Sequence, residues 1–161
     1  MTKLRVMTGL GLVLFMATVI GGPSARADDS QIIQAWVDAW NAHDPDLVAS
    51  LFANDATYLD VPFNAKSIGT AQIRAFAAFF ISASPDLHIQ LVRGVFDDHH
   101  GTIEWIFSGT DVSIFSTGKK YSFVGVTVID TKNNLITSNI DYYDLDTMLC
   151  ELGLGTICIP H

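Results

Sequence analysis

Basic residues are scarce in this sequence. Nine Lys and Arg residues stand against seventeen Asp and Glu residues in a chain of 161, which gives a formal net charge of −8. Recognition of nucleic acid needs a basic surface to neutralise phosphates, so the composition argues against a nucleic-acid partner. An anionic membrane surface is disfavoured for the same reason. The charge leaves uncharged or cationic small molecules as ligands.

Cysteine is also rare, and the motifs of several enzyme classes are missing. Cys150 and Cys158 lack a Cys-x-x-Cys spacing and so do not suggest a zinc site. The chain has no Gly-rich phosphate loop and no nucleophile elbow around a serine. His99 and His100 follow two aspartates in a predicted turn, where neighbouring side chains rarely converge on one ion. We therefore expect neither a metal nor an organic cofactor.

The N-terminus has the pattern of a secretory signal. Lys3 and Arg5 precede an uncharged apolar run, and small residues follow at Ala25 and Ala27. The run is shorter than the ~18–20 residues that a membrane-spanning helix needs. Cleavage after Ala27 is therefore predicted, with an uncleaved N-terminal anchor as the alternative.

Cleavage divides the chain into a signal, 1–27, and a single domain, 28–161. Three of the nine basic residues leave with the signal, so six basic minus seventeen acidic residues leave the mature domain a charge near −11. An exported, periplasmic or secreted protein meets an oxidising compartment, which favours a disulfide between Cys150 and Cys158. Two free thiols are the alternative.

Helical patterns come first along the chain and strand patterns follow. Apolar residues at helical spacing predict a helix over 30–41. Asp44 and Pro45 are typical of the start of a second helix, whose apolar residues extend as far as Phe52, and Gly69 precedes a third. Helices followed by antiparallel strands predict an α+β fold with one sheet. The predicted strands are 57–61, 88–96, 102–108, 121–130 and 135–143, and the predicted tail helix is 146–152.

Four stretches of the chain resemble the polyketide cyclase (SnoaL-like) family of the nuclear-transport-factor-2-like fold. The resemblance implies three N-terminal helices packed on a curved antiparallel sheet around a conical pocket for a small hydrophobic molecule. It also implies a homodimer formed through the outer sheet face. The stretches are AWVDAWNAHDPDLVASLFANDATYLD (35–60), SIGTAQIRAF (67–76), PDLHIQLVRGVFDDHHGTIEWIFSGT (85–110) and ITSNIDYYDLDTMLCELGL (136–154).

The resemblance also implies an acid/base residue. In the cyclases of this family an aspartate on the last long strand has that role, and Asp141 is at the matching position. Trp40 stands where those cyclases have a pocket tyrosine, and Phe76 lies near the place of a pocket asparagine. The acid/base group is thus kept, while two polar pocket groups have become aromatic.

Strand alternation gives an independent reading of the segment around Asp141. Asn139, Asp141 and Tyr143 share one face of the last strand. If that face lines the pocket, burial raises the pKa of the Asp141 carboxyl and keeps it useful as a base near neutral pH. Tyr143 then becomes a hydrogen-bonding partner. The alternative is a carboxylate on the solvated face of the sheet.

Other residues are candidates for the same pocket. His88, at the start of a strand, is a candidate second acid/base, and its alternative is a partly buried strand histidine. On the first strand only one of Tyr58 and Asp60 is expected to point inward. Tyr58 is chosen as a wall residue, and Asp60 is placed at the pocket mouth. The candidate ligand contacts are Trp40, Tyr58, Phe76 and Trp105.

Two functions are consistent with these residues. One is a cofactor-independent enzyme of the cyclase, isomerase or hydratase type, with Asp141, His88 and Tyr143 as catalytic residues. The other is an exported domain that binds a small hydrophobic ligand without catalysis. The loss of polar groups at Trp40 and Phe76 favours the second.

Overall fold

Four helices and six strands make up the part of the chain that the computed structural model describes, residues 30–156 and 158. The predicted signal, 1–27, lies outside these residues. No helix within them is long and apolar enough to cross a membrane. The helices are α1 (Ser30–Asn41), α2 (Pro45–Ser50), α3 (Thr70–Ala83) and α4 (Leu145–Leu152). The strands are β1 (Phe52–Asp60), β2 (Ala65–Ile68), β3 (His88–Asp97), β4 (His100–Thr110), β5 (Lys120–Lys132) and β6 (Leu135–Tyr143).

The strands form one sheet in the order β2-β1-β6-β5-β4-β3. Four of the neighbouring pairs are antiparallel, as expected, but β1 runs parallel to β6. The predicted antiparallel sheet is therefore corrected to a mixed one. The parallel pairing joins the first strand in the chain to the last one. The chain forms α3 and the other strands after β1, and only β6 returns to lie beside β1. The α+β class, with helices packed on a single sheet, is confirmed.

The helices begin where the sequence indicated. The Asp44 carboxylate accepts from the backbone N–H groups of Asp46 and Leu47, which caps α2. At the other end of that helix the prediction was wrong: Phe52 begins β1 instead of ending α2. Tertiary pairing decides this boundary, since Phe52 lies beside Ile136 of β6. The short strand β2 was missed because its four residues carry no apolar alternation.

The core lies between the helices and the inner face of the sheet. On β5 every second residue from Tyr121 to Ile129 is buried, and the residues between them point outward. The same alternation buries Ile103 and Trp105 on β4. Period-two alternation therefore sets which side chains reach the space under the helices.

The C-terminal helix α4 packs against strand β5 of the sheet. Asp144 caps α4 through a bond from the backbone N–H of Asp146, and Met148 and Leu152 of that helix are buried. Cys150 and Cys158 form a disulfide. The predicted end of the last strand, the capped tail helix and the disulfide are thus all present.

Candidate active site

A narrow cavity lies between the helices and the inner face of the sheet. It offers about 40 Å³ to the centres of water molecules, and the free space within its walls, mouth included, is about 470 Å³. A single water needs roughly 10–15 Å³ of the volume that is open to water centres. The cavity therefore admits only a small or flat ligand without side-chain movement. Its aromatic walls are Trp36, Trp40, Tyr58, Phe63, Phe76, Phe80, Trp105, Phe107, Tyr121, Phe123 and Tyr143.

Two carboxyl groups project into this apolar space from adjacent strands. Asp60 of β1 and Asp141 of β6 are direct neighbours in the parallel pair, and their exposed fractions are 3% and 6%. Asp60 was expected at the mouth with Tyr58 alone pointing inward, and this was wrong. Residues two apart on a strand share a face, so Tyr58 and Asp60 both line the cavity.

Each carboxyl group is paired with a phenol from the opposite strand. Tyr58 of β1 donates from its hydroxyl to Oδ2 of Asp141, at 2.5 Å. Tyr143 of β6 donates to Oδ2 of Asp60, at 3.0 Å. Each strand thus supplies one acid and one phenol, and the two bonds cross between the strands.

Asp141 receives further donors along the sheet. The hydroxyl of Thr127 and the amide of Asn139 both bond to its Oδ1, at 2.7 and 2.8 Å. The amide oxygen of Asn139 accepts from the indole N–H of Trp36, and the Thr127 hydroxyl accepts from that of Trp105. Because indole nitrogens only donate, these bonds orient Asn139 and Thr127 as donors toward Asp141.

Burial perturbs the titration of both acids. It raises the pKa of Asp141 from its ordinary value near 3.8 to about 6, although the donors from Tyr58, Thr127 and Asn139 lower it and the charge of Asp60 raises it. Burial also raises the pKa of Asp60, and bonds from the Phe63 N–H and the Tyr143 hydroxyl partly offset this. A carboxyl group with a pKa near 6 is mostly ionised at pH 7 and still accepts protons readily.

The two phenols remain protonated at neutral pH. Burial, followed by the negative charge of Asp141, raises the pKa of Tyr58 well above its ordinary range. Burial and the charge of Asp60 do the same to Tyr143. The cavity therefore combines a proton acceptor, a second acid and two hydroxyl donors within one apolar enclosure, which is the composition that general acid/base chemistry requires.

The structure brings together six of the seven residues that the sequence suggested for the site. His88 is the exception. It is exposed, and its neighbour Ile89 points inward and lines the cavity. Strand alternation allows only one of these adjacent residues to face the cavity, so His88 is not part of the site. The six residues at the cavity are Trp40, Tyr58, Phe76, Trp105, Asp141 and Tyr143.

Sequence reasoning missed Thr127 as a partner of the acid and Trp36 as the residue that orients Asn139. Thr127 is a polar residue within a long apolar strand. The alternation that buries Phe123 and Ile129 also predicts that Thr127 points inward. A hydroxyl at a buried position of such a strand needs a partner. Trp36 belongs to the apolar pattern of α1, and that pattern does not show that its indole reaches Asn139 on β6.

The described residues contain no group of three or more His, Cys, Asp and Glu side chains placed to hold a metal. None of the described residues that line the cavity is Lys, Arg or His. The carboxyl groups thus have no cationic partner in the cavity wall. Trp40, which is 3% exposed, has an indole nitrogen that makes no hydrogen bond within the described part of the chain.

The fold is that of a ketosteroid isomerase-like α+β protein. Residues 33–139, more than half of the chain, match the model of the SnoaL-like domain. The chain therefore belongs to the SnoaL-like domain family. No curated protein matches the sequence significantly.

Several solved structures share this fold. One is a protein with a ketosteroid isomerase-like fold from Catenulispora acidiphila in complex with trimethylamine, with 28% identity, a TM-score of 0.73, and coverage of 81% of this chain and 98% of that one. IdmH from Streptomyces antibioticus, a candidate polyketide cyclase, has 17% identity, a TM-score of 0.69, and coverage of 78% and 99%. An LEH-like epoxide hydrolase from M. tuberculosis has 18% identity, a TM-score of 0.65, and coverage of 79% and 90%. The last two likenesses show the fold alone.

Proposed function

We propose that this protein is an exported, cofactor-independent acid/base enzyme of the cyclase, isomerase or hydratase type that acts on a small hydrophobic substrate. The observation that carries the proposal is the Asp60–Asp141 pair, buried in an aromatic cavity and bonded crosswise to Tyr143 and Tyr58. Membership of a family with structural neighbours described as cyclases and an epoxide hydrolase supports this kind of chemistry.

The roles of the two acids differ in their hydrogen bonding. Asp141 is surrounded by donors, which favour the carboxylate, and it acts as the base. It takes a proton from a carbon next to a carbonyl group, and the electron pair of the C–H bond moves into the enolate. Asp60 and Tyr143 form the second proton-holding pair, and return of a proton to the substrate completes a step without net oxidation.

A test of the base does not need the physiological substrate. In D2O, the wild-type protein should accelerate exchange of the acetophenone methyl protons, followed by NMR. Asp141→Asn should bring the rate down to that of buffer. The variant is a close match in shape, since its side-chain oxygen can accept from Thr127 and Asn139 and its NH2 can donate to Tyr58. Equal exchange rates for wild type and Asp141→Asn would refute the assignment.

A second candidate function is binding without catalysis. Aromatic walls and two carboxyl groups without a cationic partner form a suitable cage for a small alkylammonium ion, and the structural neighbour from Catenulispora holds trimethylamine. Calorimetric titration with trimethylammonium tests this function. It predicts binding that weakens in both Asp60→Asn and Asp141→Asn, with no proton exchange in the ketone assay.

Export is part of the proposal and rests on the N-terminal sequence, with support from the disulfide between Cys150 and Cys158. Expression with the full N-terminus should yield a protein whose measured mass corresponds to a chain that begins at Asp28. A mass that retains residues 1–27 would contradict cleavage.

A further inference from the structure

A buried carboxylate organises the segment that joins β4 to β5, residues 111–119, which we call the β4–β5 loop. Asp111 is 0% exposed, and its carboxylate oxygens accept from the backbone N–H groups of Phe115 and Thr117, at 3.0 and 2.8 Å. The Thr117 hydroxyl adds a third bond, at 2.8 Å. Burial raises the pKa of Asp111, but these bonds outweigh it and hold the pKa below the ordinary value near 3.8. The loop in this conformation therefore stabilises the buried charge.

The β4–β5 loop is also anchored at its base and to two helices. The backbone N–H of Asp111 bonds to the carbonyl of Lys119, which closes the base of the loop. The N–H of Val112 bonds to the carbonyl of Ala83, at the end of α3. The Lys119 ammonium group donates to the carbonyl of Leu152, at the end of α4. These bonds and the Asp111 carboxylate hold the loop in one conformation.

The β4–β5 loop contributes Ile114 to the wall of the cavity. Strand β5 shows where this residue lies relative to the acids. Asp141 lies opposite Thr127 of β5, whereas the loop leads into the start of β5, beside Tyr121. Six steps along the strand separate Tyr121 from Thr127, which is roughly 20 Å at about 3.3 Å per residue. The bonds to Asp111 keep the loop close to its base, so Ile114 and Asp141 lie toward opposite ends of the cavity.

Ile114 also borders the opening of the cavity. Most of the lining residues are buried, and those that keep partial exposure mark where solvent reaches the cavity. Among them Ile114 belongs to the β4–β5 loop, and the others belong to α3, to β4, to β6 or to the β1–β2 turn. They are Phe63, Phe76, Phe80, Phe107, Ile114 and Tyr143. A substrate chain that extends from Asp141 along β5 meets Ile114 at this border.

We propose that Ile114 limits the length of the substrate, and that Asp111 is a positioning residue that holds Ile114 in the cavity wall through the β4–β5 loop. The inference rests on the proposed function, because it assigns the residue that selects among substrates of the same site. The part of the substrate that points away from Asp141 is apolar, since Ile114 and Tyr121 offer it no charged partner. The substrate thus has a polar reacting end and an apolar tail of limited length.

A series of 1-alkanols from propanol to octanol measures the length limit. The hydroxyl can donate to Asp141 or Asp60, and the alkyl chain then extends toward the β4–β5 loop. Each buried methylene group should raise the affinity about fourfold. This gain should stop at the chain length that reaches Ile114. Chemical-shift titration of the ¹⁵N-labelled protein measures the affinities.

Ile114→Ala should move the limit to longer chains. The substitution shortens the side chain, so the affinity should continue to rise for roughly two further carbon atoms of the alcohol. Val112→Ala is the matched control. Val112 lies on the same loop, is 48% exposed and stands outside the cavity wall, so its truncation should leave the limit at the wild-type length.

Asp111→Asn tests the positioning role. The variant keeps the shape of the side chain but turns one accepting oxygen into an NH2 group, so the loop should loosen. Hydrogen exchange of the Phe115 and Thr117 amides should accelerate by about tenfold or more. Alcohols beyond the wild-type limit should gain at least about fourfold in affinity over shorter ones. A purely structural role would change exchange and stability without changing this ratio of affinities. Thr117→Val, which removes only the hydroxyl donor, should show the same changes in weaker form.

Three results would overturn the proposal: no saturable binding of any alcohol at millimolar concentration, a wild-type limit in folded Ile114→Ala, or an unchanged ratio of affinities in Asp111→Asn with faster exchange of the loop amides. These results are independent of the ketone assay. A limit that moves in Ile114→Ala without Asp141-dependent turnover in the ketone assay would refute the enzyme and leave the length limit standing. Asp141-dependent turnover with an unmoved limit would do the reverse.

Discussion

At the scale of single residues, the site is organised by the direction of its hydrogen bonds. Trp36 and Trp105 can only donate, and each does so to a side chain that can both donate and accept. Asn139 and Thr127 are thereby left to donate to Asp141. These bonds favour the carboxylate, whereas burial disfavours it. The balance places the pKa of Asp141 at about 6.

Thr127→Val tests this balance. The substitution keeps the shape of the side chain and removes one donor to Asp141, so the pKa of Asp141 should rise above about 6. ¹³C NMR titration of the carboxyl signals measures it, with Asp141→Asn identifying the signal. Thr127→Ser keeps the hydroxyl and serves as the control. An unchanged pKa in Thr127→Val would show that the hydroxyl does not act on the acid.

The same raised pKa predicts a pH-dependent cost to stability. The folded-state pKa of Asp141, about 6, lies above its ordinary value near 3.8, so the folded protein holds this proton more tightly than the unfolded chain. Stability is therefore lost as pH rises from about 4 to about 6, by roughly 2–3 kcal/mol at neutral pH. Asp141→Asn should lack this loss and unfold at a higher denaturant concentration at pH 7.

Wild type and Asp141→Asn should converge in stability near pH 4. The comparison uses the difference between the two proteins, because Asp60 and the exposed acids titrate in both. A variant that is less stable than wild type at pH 7 and shows the same pH dependence would contradict the predicted cost.

At the scale of elements, strand periodicity accounts for what the sequence could predict. The alternation of the last strand placed Asn139, Asp141 and Tyr143 on one face, and the structure has them there. The alternation of residues within a strand does not predict the order of the strands in the sheet. Asp60 becomes a partner of Asp141 only because β1 lies beside β6, a long-range pairing that no local spacing encodes. Asp60 was also misplaced through a local error, since residues two apart share a face.

The contact between β4 and β5 gives an element-scale prediction. Gly125 lies opposite Trp105 across the two strands, and a Cβ at that position would overlap the Trp105 ring. The missing side chain lets the indole lie across β5 and reach Thr127 at 2.8 Å. Gly125→Ala should therefore displace the ring and lower the free energy of unfolding by about 1–3 kcal/mol, measured by urea denaturation.

A double-mutant cycle separates this overlap from a general effect of alanine on the strand. Gly125→Ala should cost less in a Trp105→Leu background, where the ring is absent. Ser122→Ala, at an exposed position of the same strand, should change stability by less than about 0.5 kcal/mol. Equal costs of Gly125→Ala in both backgrounds would show that Trp105 does not need the glycine.

At the scale of the whole molecule, the two faces of the sheet have different partners. The inner face packs against the helices and lines the cavity. The outer face carries neighbouring apolar side chains that no element among the described residues covers, including Val124 at 58% and Tyr142 at 49% exposure. The cross-strand register places Ile106 beside Val124, and Val126 beside Tyr142. We define the outer patch as Ile106, Val124, Val126, Val128, Ile140 and Tyr142.

Two copies of a strongly acidic protein repel each other, so they associate only where burial of apolar area outweighs that repulsion. A contiguous exposed apolar patch is such a place. We propose that two copies pair through the outer patch, as the family resemblance suggested. Val124→Lys places a charge within the patch and should convert a dimer into a monomer in sedimentation equilibrium. Phe79→Lys alters a similarly exposed apolar residue on α3, at 53%, and should leave the dimer intact. A wild-type protein that sediments as a monomer at micromolar concentration, or a dimer that survives Val124→Lys, would exclude this face as the interface.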